Sequence, residues 1–347
     1  MPATAMSGNT LLYMRHAISS STRKGYDVAM RRYEEYRPSQ GAAHEPAITA
    51  THAANWLISM ADASELSSST IKHYRSALST FYTQTQSFAS RPEPNPLEHP
   101  GFAHLIRGIV NRSADREHAQ RVAHPKSTGV TMAMIEQLAS VWSGGTPMER
   151  MLLAAAALAT CGCHRPSEVL GSSAHRERRL RLGQIVFYAD EQSTVPISSE
   201  HATAATSMPD HCCVTLHVSK TNQQRRTQAV YIAAPTAVSA LWTWMRYRHT
   251  LALADDTIFQ QQHAAPLSST TLISFVTTAL SHLGHRGLHL TGKCFRIGGT
   301  SSLHEVGVGP ADLSRSARWT DGSAMHRTYT MPESAARRAI EINRGMH

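Results

Sequence analysis

The segment Met151–Leu170 reads MLLAAAALATCGCHRPSEVL. Its first part, Met151 to Ala159, is the longest apolar stretch in the chain and is rich in alanine. That composition predicts a buried helix, and the run is too short to span a bilayer. The second part, Cys161 to Leu170, puts Arg165 just past this helix and Glu168 three positions further on. An arginine three before a glutamate is compatible with a helix-surface ion pair. It is also compatible with a carboxylate that orients a guanidinium, and the segments on either side decide what that would be for.

Upstream, Thr131 is a candidate cap for a helix with Met134, Ile135, Leu138 and Val141 on its apolar face. Downstream the period changes from helical to alternating. Leu182 to Tyr188 reads as a strand, as do Val214, Leu216 and Val218 with their polar neighbours, and Gln228 to Ile232 after a polar turn at Thr221–Arg226. Ala189 to Asp210, rich in Ser, Thr and Ala, is expected to be a flexible surface loop. Helices are expected again at Pro235–Arg248, Ser269–Leu283, Arg296–Glu305, Pro310–Ser316 and Glu333–Asn343.

The N-terminal third is helical in pattern throughout. After about eighteen residues without clear periodicity, Ser21 or Thr22 is expected to cap a helix carrying Tyr26, Met30, Tyr33 and Tyr36. A second carries Ala53, Trp56, Leu57 and Met60, and a third Ile71, Tyr74, Leu78 and Phe81. Ser87 to Pro100, with four prolines, reads as a loop. A fourth helix presents Phe102, Leu105, Ile106 and Ile109 and is expected to end near Arg112. These aromatic stripes read as core. The expected organisation is a flexible start (1–18), a helical domain (19–112), a basic linker (113–129) and a second domain (130–347). The fold class is mainly α with a small antiparallel β-sheet in the second domain. No internal repeat or heptad pattern is evident.

Composition sets the outer bounds. At 347 residues and 41% hydrophobic, the chain can bury two cores. A formal net charge of +9 and a pI near 9.6 favour a polyanionic partner, nucleic acid first. Lysine stands only at 24, 72, 126, 220 and 293, and every other basic residue is arginine, whose fork grips phosphate in two places. The five cysteines show no zinc-type spacing and no disulfide framework, which implies a reducing, intracellular compartment. Cys212 and Cys213 read as ordinary strand residues. No secretory signal, membrane span, metal motif or cofactor motif is apparent, so no cofactor is expected.

Three further segments join Arg165. Lys220 ends a strand and opens a hairpin in HVSKTNQQRR, where a mobile ammonium is placed to protonate a leaving alkoxide. GKCFRIGGTSSL sets Lys293 and Arg296 three apart at a helix start, both expected to face one way, an arrangement suited to an anion. Gly298 and Gly299 inside it permit close approach of a backbone or a ligand. SARWTDGSAMHRTYT supplies Trp319, whose indole N–H only donates, and Tyr329 ten positions later.

This ordered set resembles the tyrosine recombinase (phage-integrase-like) family: an arginine, a hairpin lysine, a His-or-Lys shortly before an arginine, a His-or-Trp, and a late nucleophilic tyrosine. The resemblance covers the whole second domain, and the helical first domain is similar to that family's core-binding domain. Lys293 stands where most members have histidine. The FRIGG and RW segments look most like recombinases of eukaryotic mobile elements of the Crypton or DIRS kind, which would imply a nuclear location. The resemblance implies that Tyr329 attacks a DNA phosphate, forming a 3′-phosphotyrosyl link that stores the bond energy, so that no ATP or metal is needed. It implies that Arg165 and Arg296 clamp nonbridging oxygens, Lys220 is the general acid, Trp319 donates to phosphate, and Glu168 orients Arg165. Lysine acts as a base at neutral pH only if its pKa is strongly lowered, which leaves Lys293 an electrostatic role. Duplex DNA is the implied partner, gripped between two domains, with Lys72, Arg75, Arg112, Arg116, Arg121 and Lys126 as candidate backbone contacts. A homotetramer joined by exchange of the terminal helix is implied as well. The rival readings are an inactive, domesticated DNA-binding protein, a type IB topoisomerase-like enzyme, and a basic protein without a DNA substrate.

Overall fold

The computed structural model describes residues 18, 20–37, 48–63, 66–86, 94–120, 127–171, 179–190, 197, 207–216, 227–251, 256–260 and 265–319. The chain divides into two compact units between Pro125 and Lys126.

Among the described residues the first unit is all helical: α1 (Ser20–Tyr36), α2 (Ala50–Asp62), α3 (Ser68–Gln86) and α4 (Pro100–Gln120), with a short 3-10 turn at Pro96–Glu98. Helix α1 starts at Ser20, so Ser21 and Thr22 lie inside its first turn rather than capping it. Thr49 caps α2, its hydroxyl accepting from the His52 amide at 3.2 Å. Trp56 is fully buried, with Tyr74 stacked on it at 5.4 Å and Tyr33 edge-on at 5.3 Å. The aromatic stripe is therefore core, as its spacing predicts, with one exception. Phe81 is exposed and Tyr82 is buried in its place, because one residue along a helix turns the side chain by about 100°.

Helix α4 continues past Arg112 to Gln120, through the first half of the segment expected to be a linker. The other end of that segment is also ordered, within the second unit. The Thr128 amide donates to the His289 carbonyl at 2.9 Å and the Val130 amide to the Cys294 carbonyl at 3.0 Å. Linker-like composition did not reveal that both ends of it are tied down by backbone hydrogen bonds.

The second unit is built around a central helix. Its elements are α5 (Met132–Trp142), α6 (Pro147–Cys161), α7 (Pro166–Val169), β1 (Ile185–Tyr188), β2 (His211–Leu216), β3 (Gln228–Ile232), α8 (Pro235–Thr250), α9 (Ser269–His282), α10 (Cys294–Glu305) and α11 (Pro310–Ser316). Every residue of α6 from Met151 to Thr160 is buried, and α5, α8, α9 and α10 pack against it. Alanines let those helices approach closely. A capping box starts α6: the Glu149 amide donates to Thr146 Oγ1 at 3.3 Å, and Glu149 Oε2 accepts from the Thr146 amide at 2.7 Å. On α5, Ile135 and Leu138 are buried as expected, but Val141 is exposed and Trp142 takes the inward position.

The sheet is antiparallel in the order β1-β2-β3, with Ile185 opposite Val214 and Val214 opposite Val230. A 3-10 turn at Leu182–Gln184 occupies the start of the strand expected from Leu182. Within the Ala189–Asp210 insertion, Ile197 pairs with Phe187 at the edge of β1, so that part adds to the sheet instead of looping free. Val218 and the turn Thr221–Arg226 lie outside the described residues, as does the helix expected at Glu333–Asn343. All five cysteines are free thiols, and Cys212 and Cys213 sit in β2. Among the described residues no helix is long and apolar enough to cross a membrane.

Candidate active site

The C-terminal end of α6 makes the first half of the site. The Cys163 amide donates to the Thr160 carbonyl and the His164 amide to the Ala159 carbonyl, the paired bonds of a Schellman cap. Such a cap needs a left-handed residue, ordinarily glycine, and here it is Cys163, with φ +47°. The chain then enters α7, with Pro166 in its first turn, Arg165 immediately before it, and Glu168 in the helix. Glu168 Oε2 accepts from the Arg165 amide at 3.0 Å and Oε1 from Arg165 Nη1 at 3.1 Å.

Glu168 is 3% exposed, which rules out the helix-surface ion pair. Two further arginines reach it from elsewhere. Arg296, on α10, donates through Nη2 to Glu168 Oε2 at 2.6 Å and through Nε to the Cys163 carbonyl at 2.8 Å. Arg318, just after α11, donates through Nη2 to Glu168 Oε2 at 3.0 Å and through Nη1 to the Gly162 carbonyl at 3.0 Å. Three guanidiniums thus share one carboxylate, leaving a formal excess of positive charge around a buried anchor. Burial pushes the Glu168 pKa up. The charges of Arg296 and Arg318, the Arg165 amide and the Arg165 guanidinium outweigh burial and hold the carboxyl below its usual range. His164 is wholly buried beside this group, with Nδ1 3.9 Å from Glu168 Oε2, too far for a hydrogen bond. Burial, then Arg318 and Arg296, lower its pKa well below the ordinary histidine value, so the ring is neutral.

The predicted residues separate in their surroundings. Arg165 is the accessible guanidinium, with 21% of its side chain exposed, and Arg296 is 3% exposed. Lys293 stands at the start of α10 and is exposed, so Lys293 and Arg296 do not face the same way as expected. Arg296 turns inward because its partners, Cys163 and Glu168, are buried. Gly298 and Gly299 are close-approach positions for backbone and not for a ligand. A Cβ at Gly298 would run into the Val130 carbonyl, and one at Gly299 into the Thr160 carbonyl at the end of α6. They let α10 press Arg296 against the α6 terminus. Trp319 is half-buried, its amide donating to the Ser314 carbonyl at 2.8 Å. Lys220 and Tyr329 lie outside the described residues.

Arg318 is a member of this cluster that is absent from the expected site residues. Its one available signal was local: a helix end at Ser316–Ala317 with no glycine after it, and an arginine where glycine would be ordinary.

In the first unit the candidate DNA contacts have partners within the protein. Arg75 donates to the Leu97 carbonyl at 2.9 Å, Arg116 to the Ala61 carbonyl, and Arg112 pairs with Asp62 at 3.6 Å. Lys72 is exposed, and Arg121 and Lys126 lie outside the described residues. No group of metal-ligating side chains occurs among the described residues.

No protein-family model matches the sequence, and no curated protein sequence does. Solved structures do match. The XerH site-specific recombinase bound to palindromic difH substrate, a post-cleavage complex, aligns over 88% of this chain and 75% of its own, with TM-score 0.61 and 13% identity. The same recombinase in a pre-cleavage complex with difH aligns over 97% and 90%, with TM-score 0.58 and 14% identity. The Tn1549 transposon integrase in complex with transposon right end DNA aligns over 97% of both chains, with TM-score 0.56 and 15% identity. The fold of this chain is the one these recombinases and integrases share.

Proposed function

We propose that this chain, which has the fold of the tyrosine recombinases, is a site-specific DNA recombinase that cleaves and rejoins duplex DNA through a 3′-phosphotyrosyl intermediate. The observation that carries this reading is the convergence on Glu168 of Arg165 and Arg296, 131 positions apart in sequence, in a fold shared with DNA-bound recombinases. A cluster of guanidiniums with excess positive charge suits a phosphodiester, and its buried carboxylate holds the donors in place before the substrate arrives.

In the reaction, Tyr329 Oη gives up its proton to solvent as it attacks phosphorus, and the bond from phosphorus to the 5′ oxygen breaks. Lys220 supplies the proton that the departing 5′ oxygen takes up. Arg165 and Arg296 stabilise the negative charge on the nonbridging oxygens, with Glu168 fixing the directions of both guanidiniums. Lys293, exposed at the start of α10, adds a further cation, and Trp319 donates to the phosphate. Return of the 5′ hydroxyl to the phosphotyrosyl bond reseals the strand and frees Tyr329. Mobilisation of an element by integration and excision is the biological role that fits, with protomers joined through residues 333–343.

Incubation with supercoiled plasmid and sheared genomic DNA, followed by rapid denaturation, should trap protein covalently on DNA. The Tyr329→Phe variant should trap none while keeping salt-sensitive DNA binding. Failure of the unaltered protein to form any adduct would overturn the enzymatic reading. Intact DNA binding in that case would favour the inactive DNA-binding alternative.

A further inference from the structure

Four helices of the second unit end in the same paired hydrogen bonds. In two of them the left-handed residue is glycine: Gly284 after α9, with φ +95°, and Gly307 after α10, with φ +90°. In the other two it is Cys163 after α6 and Arg318 after α11, with φ +47° and +56°, and these are the only non-glycine residues with positive φ among the described residues. The Arg318 amide donates to the Arg315 carbonyl at 3.0 Å, and the following amide, Trp319, to the Ser314 carbonyl at 2.8 Å. An arginine here carries a Cβ penalty that glycine avoids. Local backbone chemistry therefore does not explain its presence.

Its side chain does. From this position the guanidinium reaches the Gly162 carbonyl at 3.0 Å, the Cys163 carbonyl at 3.4 Å and Glu168 Oε2 at 3.0 Å. The two strained caps are thus joined to each other across the carboxylate that holds Arg165 and Arg296. Arg318 is also the residue directly before Trp319, at the point where the chain leaves α11 for the segment that carries Tyr329.

We propose that Arg318 is a positioning residue: it ties the end of α11, and with it Trp319, to the carboxylate that holds Arg165 and Arg296, so that Trp319 and the phosphate clamp share one anchor. This rests on the recombinase reading of the site. Arg318 does not need to touch the DNA. It acts through Glu168 and through Trp319, the next residue in the chain.

Glycine makes a discriminating substitution, because it keeps the helix cap and relieves the backbone while removing the whole side chain, guanidinium included. The Arg318→Gly and Arg318→Lys variants would be compared with the unaltered full chain on DNA recovered from its own trapped adducts. Three quantities would be read: thermal midpoint, DNA affinity, and rate of covalent adduct formation. The expected result for Arg318→Gly is a lowered midpoint, with the protein still folded and its DNA affinity kept at the assay temperature, and adduct formation slowed on the order of a hundredfold, the scale of a misplaced reacting group. Arg318→Lys, which keeps the charge but not the fork, should fall between the two. Adduct formation by Arg318→Gly at the unaltered rate would overturn the positioning role and leave the recombinase reading standing. A loss of adduct matched by equal loss of folding or of DNA affinity would overturn it in favour of a structural role. No adduct from the unaltered chain would remove the recombinase reading and this proposal together.

Discussion

Arg75, Arg112 and Arg116 of the first unit and the arginine cluster of the second are used in opposite ways. In the first, Arg112 lies 73% exposed beside a half-exposed Asp62, and Arg75 and Arg116 fasten individual loops and helix ends by single backbone carbonyls. In the second, Arg165, Arg296 and Arg318 come from three separate segments to one buried carboxylate. A surface pair gains little because water competes for both charges. A buried carboxylate stripped of water depends wholly on its partners, and they on it. The same residue type therefore makes single, separate ties in the first unit and, at this cluster, joins three segments at one point in the second.

That contrast breaks most severely at Glu168. Glu168→Ala should cost about 3–5 kcal/mol of folding stability, the scale of leaving buried charges unpaired, as measured by urea unfolding. A loss below about 1 kcal/mol would mean that the cluster is not an anchor. The effect has a pH signature. Because the folded pKa of Glu168 is depressed, its contribution is fully present above the unfolded value of about 4.3 and disappears as pH falls through the lower, folded value. The stability gap between the unaltered protein and Glu168→Gln should therefore narrow only as the solution is acidified below that range. A gap that is constant from neutral pH to strongly acidic solution would contradict the charge-based account.

A glycine pair sharpens the comparison at the level of packing. Gly298→Ala in the second unit forces a Cβ into the Val130 carbonyl and should destabilise by about 1–3 kcal/mol or more. Gly108→Ala in α4 of the first unit meets nothing within 4 Å and should stabilise by roughly 0.5–1 kcal/mol through helix propensity. Equal effects at both positions would show that α10 has room to shift. The smallest change expected is Arg112→Ala, within about 1 kcal/mol and shrinking further in added salt. A larger, salt-independent loss would mean that the Arg112–Asp62 pair is shielded in a way its exposure does not suggest.

Element types were legible in the sequence where one period dominated. The buried helix Met151–Ala159, the strand Gln228–Ile232 and the helix Pro310–Ser316 follow from hydrophobic spacing and their flanks. Faces were harder to assign, as Phe81 and Val141 show. Each lies one residue from the position that is buried, and periodicity over a few turns does not distinguish adjacent positions at a helix edge. At the site, Arg165, Glu168 and Arg296 were recoverable as a set because their order and residue types matched a known pattern. Arg318 was not, since its one local signal, a helix end without a following glycine, does not say where the side chain goes.

From the residues alone come a basic chain with two helical regions, a small sheet within the second, and a run of cations leading to a tyrosine. Those features are local in sequence: spacing, turn residues and composition. Packing settles which cations meet, that Lys293 faces outward while Arg296 turns in, and that Gly298 and Gly299 admit backbone rather than ligand. The physical reason is that a buried carboxylate selects its partners by distance in space and by the water excluded around it. Neither quantity exists until α6, α7, α10 and the end of α11 are packed together.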